Sequence, residues 1–306
     1  MTDEIIFHHY PTSPFSEKVR LAFGMKGLAW RAVVQPVIMP KPHLTPLTGG
    51  YRKIPVMQIG ADIYCDTQII LAEIERRHPA PPLMPNAGLS AAVGFWADRT
   101  FFQASVPLIF GALGDKVDPA FMKDREALSG RPFDVNQMKA AVPLMREQWR
   151  AHAGFIEAQL AARGDYVGGA LSVSDIHAHM NVWFLSTFAP EEAAKLVAEL
   201  PLTRAWYARL NAIGHGTSVP MTPDEALSVA RDATPQEAEH ADTNEPNGLK
   251  PGQKVMVMAD DYGRDPITGT LVSSSAHRIA IRRSDPAVGE VVVHFPRAGF
   301  WVMPAA

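Results

Sequence analysis

The residues best able to do chemistry stand in the turn Tyr10-Pro11-Thr12-Ser13-Pro14-Phe15-Ser16 and in two later groups, Lys53-Ile54-Pro55 and Asp66-Thr67. Ser13 follows the apolar run Ile5-Ile6-Phe7 and precedes the helical stretch from Glu17 to Met25. A hydroxyl at a helix N-terminus donates a hydrogen bond to an anion, and the first-turn amides add positive potential. A thiolate held there is stabilised by both effects. Its pKa then falls from a free value of about 8.5, one unit for each 1.4 kcal/mol or so. The result is a nucleophile at neutral pH without covalent chemistry from the protein. The same serine also reads as a helix cap, with Pro14 at the first helical position. Thr12 is an alternative hydroxyl, because register in a loop is loose. Ser16 reads as a first-turn helix residue. Tyr10 reads as a packed side chain.

The elements that must position these groups are short and alternate in type. Glu4 to His9 is an apolar strand, Ser16 to Met25 a helix, and Trp30 to Gln35 a Val-rich strand. Residues 36 to 53 contain Pro36, Pro40, Pro42, Pro46 and Gly49 and read as a loop. Val56 to Ile59 and Asp62 to Tyr64 form a hairpin around Gly60-Ala61, and Thr67 to Arg77 is a helix stopped by Pro79.

This β-α-β then β-β-α order, with Ser13-x-x-Ser16 where a thioredoxin-type fold carries Cys-x-x-Cys, an Ile54-Pro55 pair and an Asp66-Thr67 pair, resembles the glutathione-binding half of the glutathione S-transferase family. The resemblance extends from residue 4 to about residue 213. It implies that Ser13 stabilises the glutathione thiolate and that a cis Ile54–Pro55 bond presents the Ile54 backbone to the peptide as an added strand would. It also implies that Thr67 and the helix amides bind a ligand carboxylate while Asp66 accepts from the ligand ammonium. The family more often has Glu-Ser at that spot, and Asp is one methylene shorter. Lys53, Arg52 or His43 would meet the second carboxylate, with Lys53 placed best because it directly precedes Ile-Pro. Caps at residues 66 and 67 and a solvated Lys53 are the plain structural readings of the same residues.

Residues 79 to 87 are proline-rich and read as a linker. Helical patterning follows: an aromatic helix from Leu89 to Leu113, a long segment from Val135 to Arg163 interrupted at Pro143, and further helices to Ile213. The aromatic helix is mainly core. One edge, with Trp96, Arg99, Phe102 and Gln103, and with Tyr10 opposite, is a candidate second-substrate pocket. Ser172-Val173-Ser174-Asp175 is a capping box and carries no catalytic role. His177 and His179 lie two apart on a helix and do not form a metal pair. From Lys254 the period changes to two, giving five short strands. Arg278, Arg282, Arg283 and His277 on one of them read as a solvated, protected edge.

The expected fold class is an α/β thioredoxin-like domain plus an all-α helical bundle, followed by a small all-β SH3-like barrel. The domain spans are 1–80, 88–213, a helix and acidic linker over 214–248, and the barrel over 249–306. The sequence has 306 residues, 47% apolar and 20% charged, with net charge −3. This composition suits a globular protein and argues against nucleic acid as the main partner. Cys65 is the only cysteine, which excludes an internal disulfide and a cysteine metal site. No basic-then-apolar leader and no membrane-length apolar run is visible, so cytoplasmic placement without membrane association is the expectation. The resemblance implies glutathione as co-substrate, no metal, a small-molecule electrophile, a homodimer and a role in detoxification. Two alternatives stand beside conjugation. One is a non-catalytic glutathione-binding or regulatory protein, and the other a glutathione-dependent isomerase or dehalogenase.

Overall fold

The computed structural model describes residues 4 to 305. Strand β1 (Ile6–His9), helix α1 (Pro14–Lys26), β2 (Ala29–Val34), the one-turn α2 (Thr45–Thr48), β3 (Val56–Ile59), β4 (Asp62–Cys65) and α3 (Thr67–Arg77) form the first unit. Ser13 caps α1 with extended backbone, Pro14 opens it, and Gly27 in the left-handed conformation ends it. Strand β1 pairs parallel with β2 and antiparallel with β3, and β3 with β4. Phe7, Phe23, Trp30, Ile70 and Leu71 fill the core beneath α1 and α3.

The helical unit comprises α4 (Ala87–Phe95), α5 (Phe102–Leu113), α6 (Pro119–Ser129), α7 (Val135–Arg163), α8 (Val173–Phe188), α9 (Pro190–Leu196) and α10 (Pro201–Asn211). A π-helical turn, Trp96–Phe101, joins α4 to α5. The single aromatic helix expected over 89–113 is therefore two helices, and the widened turn re-aims Asp98 and Arg99. Helix α7 runs through Pro143 without a break. The capping box at Ser172 is present, and Asp175 also accepts from the Trp206 indole at 2.9 Å.

The remaining elements are β5 (Thr217–Pro220), α11 (Pro223–Arg231), β6 (His240–Ala241), β7 (Lys254–Ala259), β8 (Ile267–Ser274), β9 (Arg278–Asp285), β10 (Gly289–Pro296) and β11 (Phe300–Pro304). The five late strands lie where the period-two pattern puts them, but they are not set apart from the first unit. Their order is β11-β7-β8-β9-β10, and β10 continues onto β4 in parallel, Val292 opposite Asp62 and His294 opposite Tyr64. At the other margin β5 pairs with β2, and Ala226 of α11 packs on Ile6 and Val33. A helix from beyond residue 214 thus covers the sheet face that α2 is too short to cover. The edge reading of the arginine strand is corrected: β9 lies between β8 and β10. Arg278 pairs with Glu237 at 3.0 Å and Arg282 with Glu290 at 3.5 Å, while Arg283 donates to the Pro46 carbonyl.

A buried polar clasp holds this seam. His294 donates to Asp62 at 2.8 Å and stacks on Tyr64, while Arg278 donates to its other ring nitrogen. Asp62 also accepts from the Gln236 amide. Asp62→Ala leaves the His294 donor buried without its acceptor. Loss of one member of a buried ionic or charge-assisted pair costs about 3 kcal/mol or more. The expected result in urea unfolding is a fall in midpoint of the whole transition. A separate early phase for the late strands, with the rest unchanged, would show that the seam does not couple them.

Candidate functional site

Two cavities meet where α1, α3, the helical unit and the late strands converge. The smaller, about 370 Å³, is walled by Ile54, Pro55, Asp66 and Thr67 on one side and by Asp98, His177, Asp261 and Phe300 on the other. The larger, about 630 Å³, is walled by Ser13, Tyr10, Lys41 and Arg52, by Arg125, and by phenylalanines of the helical unit. Phe15, Lys53, Ile54 and Tyr262 border both. Both volumes lie in the range of small-molecule sites.

Ser13 is buried at the head of α1. Its Oγ accepts from the Ser16 amide at 3.0 Å, and its own proton has no acceptor among the described residues. Capping and donation therefore use different capacities of one hydroxyl. Ser16 is buried without a partner for its hydroxyl, and Thr12 lies exposed at the rim of the larger cavity. The Ile54–Pro55 bond is cis, and the Ile54 N–H and C=O make no backbone hydrogen bond among the described residues. Asp66 caps α3 by accepting from the Gln68 amide at 2.9 Å and holds a φ of 89°, a region non-glycine residues rarely adopt. Burial raises its pKa, and Asp98 nearby adds to this. Thr67 accepts from Lys18 at 3.3 Å, and Lys18 is fully buried against Asp98 at 2.7 Å. The ion pair thus fixes the Thr67 oxygen while leaving its proton to donate.

Lys53 lies between the cavities, bound to Asp261 at 2.7 Å and held 4.1 Å over the Tyr262 ring. Both partners come from the turn after β7. That turn is anchored by the Gly263 amide on the Leu128 carbonyl at 2.8 Å, where φ is +62° and an added Cβ would meet Leu128 and Lys53. Arg99 also reaches this turn, at 2.6 Å from Asp260, so it borders the smaller cavity instead of the second-substrate pocket.

The structure corrects three further expectations. His43 borders neither cavity and pairs with Asp224 at 3.3 Å, because the loop turns it outward toward α11. Trp96 packs among Phe101, His152 and Phe155, on the far face of the π turn. Gln103 is exposed, one position past Phe102, which does line the larger cavity. Sequence reasoning passed over Lys41, Arg125 and Tyr262. Helix α6, which carries Arg125, was legible in Asp118-Pro119 and Gly130 as cap, first-turn proline and stop. Lys41 between two prolines gave no sign that its side chain would be buried, nor did Tyr262 that it would reach the site.

The family model "Glutathione S-transferase, N-terminal domain" matches residues 7–82, and a model of a domain of unknown function matches residues 105–218. Among solved structures, a GST-like protein from Pseudomonas syringae superposes with TM-score 0.82 at 36% identity, covering 99% of this chain and 100% of that one. The chain belongs to the glutathione S-transferase family. That coverage extends the likeness through the late strands. FtsZ-localized protein A of Caulobacter vibrioides (strain NA1000 / CB15N) is 26% identical over 217 residues, 69% of this chain and 88% of that protein. Glutathione S-transferase U4 of Arabidopsis thaliana is 29% identical over 86 residues, 28% of this chain and 38% of that protein. Among the described residues there is no helix long and apolar enough to cross a membrane and no cluster of three or more metal-type side chains.

Proposed function

We propose that the chain binds glutathione across the junction of the two cavities and presents its sulfur to Ser13 for attack on a small electrophile. The observation that carries this reading is the free Ile54 backbone bordering both cavities, with unlike charge at its two ends. Toward α3 stand Asp66, Asp98 and the Thr67 hydroxyl, suited to an amino-acid head with its ammonium and carboxylate. Toward the loop stand Lys41 and Arg52, suited to the far carboxylate. Lys53, the residue expected in that role, is already satisfied by Asp261. Lys41 is 4% exposed, donates to the Arg52 carbonyl at 3.1 Å, and has its pKa lowered to about 8 by burial and by Arg125. An arriving carboxylate favours the charged form and raises the pKa again.

Calorimetry with S-methylglutathione, which has no ionising thiol, tests this placement. Below pH 8 Lys41 is already charged and binding leaves it so. Between pH 8 and the ordinary value of 10.5, binding raises the lysine pKa and takes up a proton. Buffers of different ionisation enthalpy should report uptake at pH 9 by the lysine and by the ligand's own amine, and Lys41→Gln should remove the lysine's share, up to one proton, and weaken binding about tenfold. Absence of binding by the wild type would overturn the reading.

A second reading is favoured by the turn after β7, whose Asp261 and Tyr262 already occupy Lys53, and by the likeness to an FtsZ-localized protein. On this reading the site retains glutathione without turnover, and the chain acts as a binding or regulatory protein. Retention on immobilised glutathione with no conjugation across a panel of electrophiles distinguishes it.

A further inference from the structure

We propose that the larger cavity takes an aromatic electrophile bearing its own anionic group, a carboxylate or comparable oxyanion, with Arg125 as the residue that holds it. This deepens the glutathione reading and rests on it.

The first argument is charge balance. Lys41, Arg52 and Arg125 converge on one side of this cavity, and Asp124 is the carboxylate set among them. Asp118, at the far rim, is exposed and caps α6 by accepting from the Ala120 amide. Asp124 is bound to Arg52 and accepts from the Met39 amide, whereas its nearest approach to Arg125 is 3.7 Å. The glycyl carboxylate of glutathione would answer Lys41. Asp124 is then shared between two arginines, and one partly buried positive charge is in excess, which an added anion would balance.

The second argument is geometry. The Arg125 guanidinium stacks 4.6 Å over the Phe121 ring and donates a hydrogen bond, at 2.7 Å, to the Val37 carbonyl. Its Nε is buried with no partner. The Tyr10 hydroxyl lies beside it, in place to accept from the guanidinium. A planar fork with unused donors is suited to a carboxylate or similar oxyanion. The third argument is the wall. Phe110, Phe121 and Phe133 form a mutual cluster at 5.0 to 5.9 Å, and Phe102 stacks on Phe184 at 5.7 Å. Aromatic edges and faces at these spacings favour a flat ring over a flexible chain.

A suitable substrate pair is 4-chloro-3,5-dinitrobenzoate and its neutral methyl ester. With either, a carbon–sulfur bond forms at the ring carbon, the carbon–chlorine bond breaks with its electron pair leaving on chloride, and the thiol proton passes to water. The test uses the full chain saturated with S-methylglutathione, so that Lys41 is occupied. Tryptophan fluorescence quenching then compares the unreactive 3,5-dinitrobenzoate with methyl 3,5-dinitrobenzoate. The expected affinity ratio favours the carboxylate about tenfold or more, falls to near one in Arg125→Gln, and is largely kept in Arg125→Lys. In turnover, kcat/KM for the chlorinated pair, each divided by its uncatalysed rate, should follow the same ratio. A wild-type ratio at or below one, or an unchanged ratio in Arg125→Gln, overturns the proposal while S-methylglutathione binding leaves the parent reading standing. Failure of S-methylglutathione to bind overturns both.

Discussion

Ser13→Ala is expected to abolish most of the thiolate stabilisation while leaving glutathione bound. A hydrogen bond to a charged acceptor is worth about 1.5–3 kcal/mol. Its loss should therefore raise the bound thiol pKa by about one to two units and lower kcat/KM about ten- to hundred-fold. The effect stops short of a complete loss because the amides at the head of α1 remain in place. Ser13 also accepts from the Ser16 amide, so the same variant should lose about 1 kcal/mol of stability. Ser13→Thr, which keeps both the acceptor and the donor, should show neither loss. Ultraviolet thiolate absorbance during glutathione titration provides the measurement. An unchanged thiolate signal in Ser13→Ala, or its loss in Thr12→Ala instead, would remove the serine from the role and assign it to the rim hydroxyl.

The second large effect is acid lability. His8, His9 and His179 are buried, and burial lowers each pKa from 6.5 to about 4. His177 is driven further down by burial and Lys18. The hydrogen bonds require the neutral ring. His8 donates to Gln58 at 2.9 Å and accepts from Gln35 at 3.1 Å, and His9 accepts from Arg20 at 3.2 Å. A proton on either accepting nitrogen would face a donor. Because the folded pKa lies below the unfolded one, the unfolded chain binds more protons as pH falls through 6.5, and stability is lost down to about 4. Each shift from 6.5 to about 4 corresponds to roughly 3 kcal/mol. Together they match the whole stability of a typical domain, about 5–15 kcal/mol. Melting temperature should be flat above pH 6.5 and fall steeply between pH 6 and 4, with His179→Gln reducing the proton uptake on unfolding by about one. A melting temperature constant to pH 4.5 would contradict this. Glu73 follows at lower pH. Arg76 and Arg77 overcome its burial and hold its pKa at about 2, so its contribution is lost progressively as pH falls from the ordinary value of 4.5 to about 2.

The same histidines show what local pattern leaves out. His8 and His9 sit in an apolar strand legible from sequence, but their neutrality comes from Gln35, Gln58 and Arg20, residues 11 to 50 positions away. Charge pairing behaves alike. Lys18 reads as a polar position on a helix, and only the π turn at residues 96–101 brings Asp98 beneath it.

By itself the sequence determined the elements of the first unit except the one-turn α2, which falls in the stretch 36 to 53 read as a loop, together with the serine at the head of α1, the caps of α3 and α8, and the period-two strands after Lys254. These depend on contacts within a few residues, on turn chemistry and on alternation, which local composition encodes. Only the tertiary structure decided that β10 would pair with β4, that α11 would cover a sheet face left bare by α2, and that Asp261 and Tyr262 would reach Lys53. Each of those results from burying apolar area and pairing charge between segments roughly 200 residues apart. Such long-range pairing leaves no periodic signal in either partner, because the same polar residues would be equally at home in water.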